Sequence, residues 1–380
     1  MVSTSRLIND PFGFAQDHSE EFEPMRKVDL ILLLSTLFLT VFGLFMIYDA
    51  SSYVAFRDFG DKYHYIKDQV IWVFIGLSSL TFASFFDYKK YYNLALPVLL
   101  AALALLVLVF VPHLGVSLLG ARRWINLGFT LLQPSEFIKL ALSIYLAAWF
   151  TTKERGRLPA FLLLLGLIIF LIIAQPDMGT AVVILAEGLG LYFLSGANIL
   201  YLLSLVPLLL MGGLALIKLE PYRAKRLATF FDPTQEIQGS SYHVRQILIA
   251  LGSGGLTGVG LGNSLQKYAY LPESTTDSIF AIIAEEFGLV GGIGIISVFA
   301  IIIWRGFYIA TKAKDKFGKL LAGGITIFLA SQAIINLAAQ TALLPLTGVP
   351  LPLISYGGSS LIVDLFSVGI LLNISKQGLK

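Results

Sequence analysis

Long apolar runs, broken by short stretches rich in polar residues, glycine or proline, recur along nearly the whole chain after residue 27. Ten of them approach the length that carries a helix across roughly 30 Å of hydrocarbon. They are Val28 to Tyr48, Val70 to Phe86, Leu94 to Val111, Glu136 to Phe150, Leu158 to Ala174, Thr180 to Ser195, Ile199 to Lys218, Ser278 to Trp304, Leu320 to Ala342 and Leu353 to Ile374. The fourth and sixth are short for a span. Lipid offers no partner to backbone N–H and C=O groups, so a spanning segment must satisfy them internally, and the runs predict helices. The expectation is an all-α, polytopic membrane protein with about ten transmembrane helices, forming one transmembrane domain over 28–380 behind a polar tail over 1–27. The tail mixes Arg6, Asp10, Asp17, Glu20, Glu21 and Glu23. It lacks the short apolar core and small-residue site of a cleavable signal, and reads as cytoplasmic.

Composition agrees with a membrane class: of 380 residues 56% are hydrophobic and only 13% charged, with a mean hydropathy of +0.79. The absence of cysteine excludes disulfides, thiolate metal sites and cysteine nucleophiles. A net charge of +3 spread over many loops gives no nucleic-acid surface. Charge does orient the spans. With the N-terminus inside, Arg6, Arg26, Lys27, Lys89, Lys90, Lys153, Arg155, Arg157, Arg305, Lys312, Lys314, Lys316, Lys319, Lys376 and Lys380 are cytoplasmic. The short outer loops hold only Arg57, Lys62, Lys67, Arg122 and Arg123. That asymmetry predicts both termini in the cytoplasm.

The one long loop, Leu219 to Thr276 between the seventh and eighth spans, is then external. It opens with PYRAKRLATFFDP, passes through an amphipathic stretch from Tyr242 to Leu251, and reaches the glycine run GSGGLTGVGLG at Gly252 to Gly262. That run lacks the lysine and the preceding strand of a nucleotide-binding loop. It reads instead as a flexible or re-entrant connection allowing close backbone approach.

In so apolar a chain, chemistry should concentrate where polar groups meet the membrane, since each is costly there unless partnered. Four clusters qualify. In GARRWINLGFTLLQPSEFIK, Gly120 to Lys139, the residues Arg122, Arg123, Gln133, Glu136 and Lys139 could bind a ligand, or Glu136 and Lys139 could simply pair across one helical turn. QPDMGT, Gln175 to Thr180, reads as a tight turn with Asp177 capping the next helix. The cations Arg223, Lys225 and Arg226 on the outer side suit either a membrane-borne phosphate ligand or anionic headgroups. LPLTGVPLPLISYGGSS, Leu344 to Ser360, has too many prolines and glycines for a regular helix, and irregular backbone at membrane depth survives only where it is buried or lines a cavity.

A fifth stretch is LPESTTDSIFAIIAEEFG, Leu271 to Gly288. Asp277 stands at the start of a helix, where it can act as a cap. The helix dipole would then lower its pKa, whereas partial burial would raise it toward that of a general base. Glu285 and Glu286 lie about 12 Å further along the axis, too far to act with Asp277 on one atom, and read as structural.

The stretches GARRWINLG with QPSEFIK, QPDMGT, PYRAKRL with FFDP, GSGGLTGVGLGNSLQKYAYLPE with TDSIFAIIAEEFG, and TGVPLPLISYGGSS resemble, in this order, the SEDS family (shape, elongation, division and sporulation), the RodA and FtsW type of bacterial peptidoglycan polymerase. GNSLQKYAYLPE and the Tyr222-Arg223 pair are more similar to the FtsW division branch. The resemblance implies an inverting glycosyltransferase of the bacterial cytoplasmic membrane that joins lipid II units on the outer face. Asp277 is then the catalytic base, in a motif that Pro272, Glu273, Thr276, Ile279 and Phe280 match. Thr275 and Ser278 depart from it, standing where the family usually has histidine and phenylalanine. Arg123, Arg223 and Arg226 are the implied pyrophosphate ligands, and Gln133, Glu136, Lys139, Lys267, Glu273, Ser355 and Ser359 further substrate-binding candidates. The resemblance fixes no cofactor, and a divalent cation, Mg or Mn, is left open. The implied partners are lipid II as donor and acceptor, a class B penicillin-binding protein transpeptidase, and other divisome or elongasome membrane proteins.

Two other functions fit many-span proteins with broken helices. A lipid II flippase needs polar groups along both halves of the bilayer, and a scaffold for the transpeptidase would use the 1–27 tail to dock. The sidedness of the clusters favours the enzyme.

Overall fold

The computed structural model describes residues 28–378, apart from 119, 129, 153–156, 198, 220 and 232–239. The expected tail over 1–27, together with Lys153, Arg155, Asp232, Pro233 and Lys380, lies outside the described residues. The order of elements is α1 (Leu30–Phe59), α2 (His64–Phe85), α3 (Lys90–Leu108), β1 (Gly115–Leu118), β2 (Ala121–Asn126), β3 (Leu131–Leu132), α4 (Pro134–Thr151), α5 (Leu158–Ile173), α6 (Met178–Leu194), α7 (Ile199–Leu219), α8 (Pro221–Phe231), α9 (Ser240–Gly254), α10 (Ile279–Lys312), α11 (Lys316–Gln340) and α12 (Gly358–Gly378). The fold is an all-α, multi-pass membrane protein. Among the described residues, α1, α2, α3, α10, α11 and α12 are each long and apolar enough to cross a membrane, and α5, α6 and Leu203–Ala215 within α7 are shorter apolar helices.

Each predicted run coincides with a helix, while α8 and α9 are additional and both belong to the large loop. Two local differences have physical causes. The segment after α3 departs from the all-α expectation by forming a small antiparallel sheet in the order β1-β2-β3, whose strands satisfy their backbone groups against one another. The last helix begins at Gly358, not Leu353. Pro350 and Pro352 cannot continue a helical hydrogen-bond ladder, and Leu353 takes a positive φ of 64°.

Helices α11 and α12 form the centre: 78% and 72% of their apolar windows are buried, against 28–39% for α1, α2, α3 and α10. A buried ion pair fastens the end opposite the polar clusters. Asp29 caps α1 by accepting from Leu32 N at 3.0 Å, and Arg305 of α10 holds the same carboxylate at 2.6–3.2 Å through Nε and Nη2.

α10 is interrupted at Gly288, with φ 67° and ψ −166°. The glycine run from the large loop occupies the break. Val259 N and Gly260 N donate to the carbonyls of Glu285 and Glu286 at 3.0 and 3.1 Å, and Leu289 N and Val290 N donate back to Gly255 and Leu256 at 2.9 and 3.1 Å. The freed carbonyls and amides of the broken helix are thereby satisfied from outside it. The side chains of Glu285 and Glu286 accept from the Ser264 and Leu265 amides, and Ser264 Oγ donates to Glu285. Both glutamates are thus used to hold the loop.

Candidate functional site

Helices α1, α3, α5, α7 and α11 end, and α2, α4, α6, α10 and α12 begin, at one end of the bundle. Alternating direction therefore collects 112–133, 174–177, the large loop and 341–357 there. Cross-links between them are direct. Arg123 donates to the carbonyls of Gln175, at 3.1 Å, and Pro176. Gln133 N donates to Ser359 Oγ at 3.1 Å, and Arg226 donates to Leu346 O at 3.0 Å. Strand β2 explains why its two arginines differ: side chains alternate faces along a strand, so Arg122 is exposed while Arg123 turns in.

Asp277 lies where two cavities meet. The smaller, of about 440 Å³, is walled by His243, Asn336, Gln340 and Val349, and the larger, of about 590 Å³, by Tyr65, Arg123, Trp124, Gln133, Tyr356 and Ser359. Arg226, Glu273, Thr347 and Gly348 line both, as Asp277 does. The backbone around the carboxylate is gripped from three sides. Thr276 N and Ser278 N close a turn onto Glu273 O, each at 3.1 Å. From α11, Asn336 Nδ2 and Gln340 Nε2 donate to Asp277 O at 2.9 and 2.6 Å. From the proline-rich segment, Ser355 Oγ donates to Thr276 O at 2.6 Å and Tyr356 N to Thr275 O at 2.9 Å. Gly348 backs the carboxylate with a φ of +75°, and a Cβ there would stand 3.3 Å from Asp277 Oδ2.

Although Asp277 keeps some solvent access, its surroundings push its pKa up to about 8. Desolvation is the main cause, followed by the charge of Glu273 and a hydrogen bond to it; Asp177 adds to the rise and Arg226 opposes it. Of the two opposed sequence-level expectations for this aspartate, burial prevails over the helix dipole. Ser278, not Asp277, occupies the cap position of α10.

The remaining expected site residues separate into two groups. Arg123, Gln133, Arg226, Glu273 and Ser359 reach the cavities. Glu136 and Lys139 do not line them: they pair at 2.7 Å inside the bundle, where Lys139 also donates to Gln332 of α11. Lys267 is likewise elsewhere, bridging Asp49 of α1 at 2.8 Å and Glu286 of α10 at 3.0 Å. Arg223 is buried on α8 and is not in the lining of either cavity. Ser355 acts on backbone, as above. Among the described residues no three His, Asp or Glu side chains are grouped as metal ligands; Glu273 and Asp277 are two carboxylates that line both cavities.

The buried pair carries its own prediction. Lys139→Met leaves Glu136 charged and unpaired in the bundle and should destabilise the protein by about 3–5 kcal/mol. The double variant Glu136→Leu with Lys139→Met should recover most of that loss, read as the thermal midpoint in detergent.

Asn336 and Gln340 were not among the sequence-derived candidates. Their signal was available: Gln332, Asn336 and Gln340 recur every fourth residue, one face of an otherwise apolar helix.

Comparison with known proteins places this geometry. The protein named Probable peptidoglycan glycosyltransferase FtsW of Geobacter sp. (strain M18) is 40% identical over 363 residues, covering 93% of this chain and 99% of the relative. Stage V sporulation protein E of Bacillus subtilis (strain 168) is 40% identical over 358 residues, covering 92% and 97%. A chain from a solved peptidoglycan synthase complex that coordinates polymerization and crosslinking superposes with a TM-score of 0.78 at 28% identity, over 93% of this chain and 99% of its own. The crystal structure of Thermus thermophilus rod shape determining protein RodA gives 0.68 at 26% identity, over 93% and 98%. Residues 29–379 match the family of FtsW, RodA and SpoVE, described as cell cycle proteins, and the chain belongs to that family.

Proposed function

We propose that the chain is a peptidoglycan glycosyltransferase that polymerises lipid II at the outer face of the bacterial cytoplasmic membrane, for cell division or shape. The observation that carries this reading is the Asp277 carboxylate, tuned toward neutral pH with Glu273 beside it, at the junction of two cavities of about 440 and 590 Å³. Asp277 takes the proton from the 4-hydroxyl of the acceptor N-acetylglucosamine as that oxygen attacks the anomeric carbon of the donor with inversion. The glycosidic bond forms as the bond to the pyrophosphate breaks, and undecaprenyl pyrophosphate leaves as the anion. Arg226 and Arg123 border the cavities and supply positive charge where that anion develops. No step in this scheme passes through a metal ion.

The positive-inside bias supports both termini in the cytoplasm, with 28–380 as one transmembrane domain. The likeness to a chain of a peptidoglycan synthase complex supports a class B penicillin-binding protein as partner, and the proposed setting adds other divisome or elongasome membrane proteins. Relatives named FtsW support the division branch. The cavities lie at one end of the bundle, which suits an enzyme acting at one membrane face better than a transporter. The test is the purified full-length protein with fluorescent lipid II, with and without a class B transpeptidase. Glycan polymer from the wild type, and none from Asp277→Ala protein of no lower thermal stability, is the expected result. Undiminished polymer from the variant would overturn the assignment.

A further inference from the structure

His243 lies on α9, in the large loop, and lines the smaller cavity with Asp277. Its Nε2 stands 2.6 Å from Ser278 Oγ. Ser278 is fully buried and directly follows Asp277. It sits at the cap of α10 yet makes no side-chain bond to that helix, so its hydroxyl is committed to the imidazole. At this position the family resemblance leads one to expect phenylalanine, which would anchor the segment by packing. Serine is too small for that, and here a hydrogen bond takes over the anchoring.

The environment keeps the imidazole neutral. Burial, and then the charge of Arg226, push His243 down to about 4. The charged groups facing it are Arg226 from α8 and Glu273 and Asp277 from the segment before α10. From α11 it meets the uncharged Asn336 and Gln340. A neutral imidazole has one donor and one acceptor nitrogen, so it can engage the hydroxyl without placing a second cation beside the aspartate.

We propose that His243 is a positioning residue for Asp277: its hydrogen bond to Ser278 fixes the 277–278 segment from α9, adding to the grip of Asn336 and Gln340 from α11, and so sets the direction of the carboxylate. The clamp then has four side chains on three consecutive residues, 276–278. Asn336 and Gln340 hold the carbonyl of Asp277, Ser355 the carbonyl of the residue before it, and His243 the side chain of the residue after it. Only the last of these comes from the large loop.

The proposal rests on Asp277 being the base, and its test separates the two. Infrared difference titration, with the Asp277 signal assigned by Asp277→Asn, follows the carboxyl group whether or not polymer forms. In His243→Ala and in Ser278→Ala, water entering the vacated space should lower the Asp277 midpoint by about one pH unit. Polymerisation should fall by roughly 10–100-fold in kcat, with KM for lipid II little changed. The double variant should be no worse than either single one, because both remove the same bond. His243→Gln, which can present an amide to the hydroxyl, should restore both readouts toward wild type. An unchanged midpoint in both alanine variants, or losses that multiply in the double variant, would overturn the proposal. A shifted midpoint in a protein whose wild type makes no polymer would support the positioning and refute the assigned reaction.

Discussion

Asp277→Asn should cut glycan polymerisation by about 10²–10⁴-fold, the usual contribution of a positioned general base, and at the same time raise the thermal midpoint. The two effects share one cause. In the folded protein the carboxyl group is held at about 8, well above its ordinary 3.8. Below the ordinary value both folded and unfolded chains carry the proton, and the group contributes nothing. As pH rises above it, the unfolded chain ionises while the folded one does not, and the folded state loses relative stability until its own group ionises near 8. An asparagine removes that penalty, so the gain in midpoint should be small at pH 4, grow through neutrality and level off beyond pH 8. The wild-type rate should show the complementary trend, rising through about pH 8 as the base form is populated. A pH-independent difference in midpoint, or an acid limb near pH 4, would show that the carboxylate titrates as an ordinary aspartate and is not tuned as a base.

How much of this was legible in the sequence depends on the range of the interaction. The helices were, because lipid makes satisfaction of the backbone a local matter. Asp277 was visible as a carboxylate beside a helix start, but not which of two opposed effects would set its proton affinity, since the closing neighbours come from the 341–357 segment and α11. Arg122 and Arg123 looked equivalent until strand pairing placed them on opposite faces. Lys267 looked like a cation available to a ligand because its two carboxylate partners lie far away in sequence, at Asp49 and Glu286. Conversely, of the two uses open to Glu136 and Lys139, the pairing needed only one turn of helix, and it is the pair that forms while the substrate-binding role is not met. What local spacing encodes could be read; what tertiary closure decides could not.

The break in α10 is the sharpest case, because Gly288 lies inside one predicted span with Gly291, Gly292 and Gly294 close behind it, and nothing in the local sequence singles it out from them. Gly288→Ala should destabilise the protein by at least about 3 kcal/mol, combining backbone strain with overpacking. Its φ of 67° with ψ −166° belongs to a region that only glycine enters readily. A Cβ there would also lie 2.3 Å from Gly258 N and 2.5 Å from Leu256 O, both backbone atoms that cannot yield without moving the loop. That loop carries the amides that satisfy the broken helix, and its other end leads through Glu273 into the Asp277 turn. The variant should therefore also expose 252–276 to limited proteolysis and lose polymerisation, although it touches neither cavity. Gly294→Ala is the control: it lies in the same helix, and an added Cβ meets nothing within 4 Å. There alanine should be neutral or stabilise by up to about 1 kcal/mol through helix propensity. If the two variants melt together, the loop does not depend on the break, and the large loop and α10 are separable elements that happen to lie side by side.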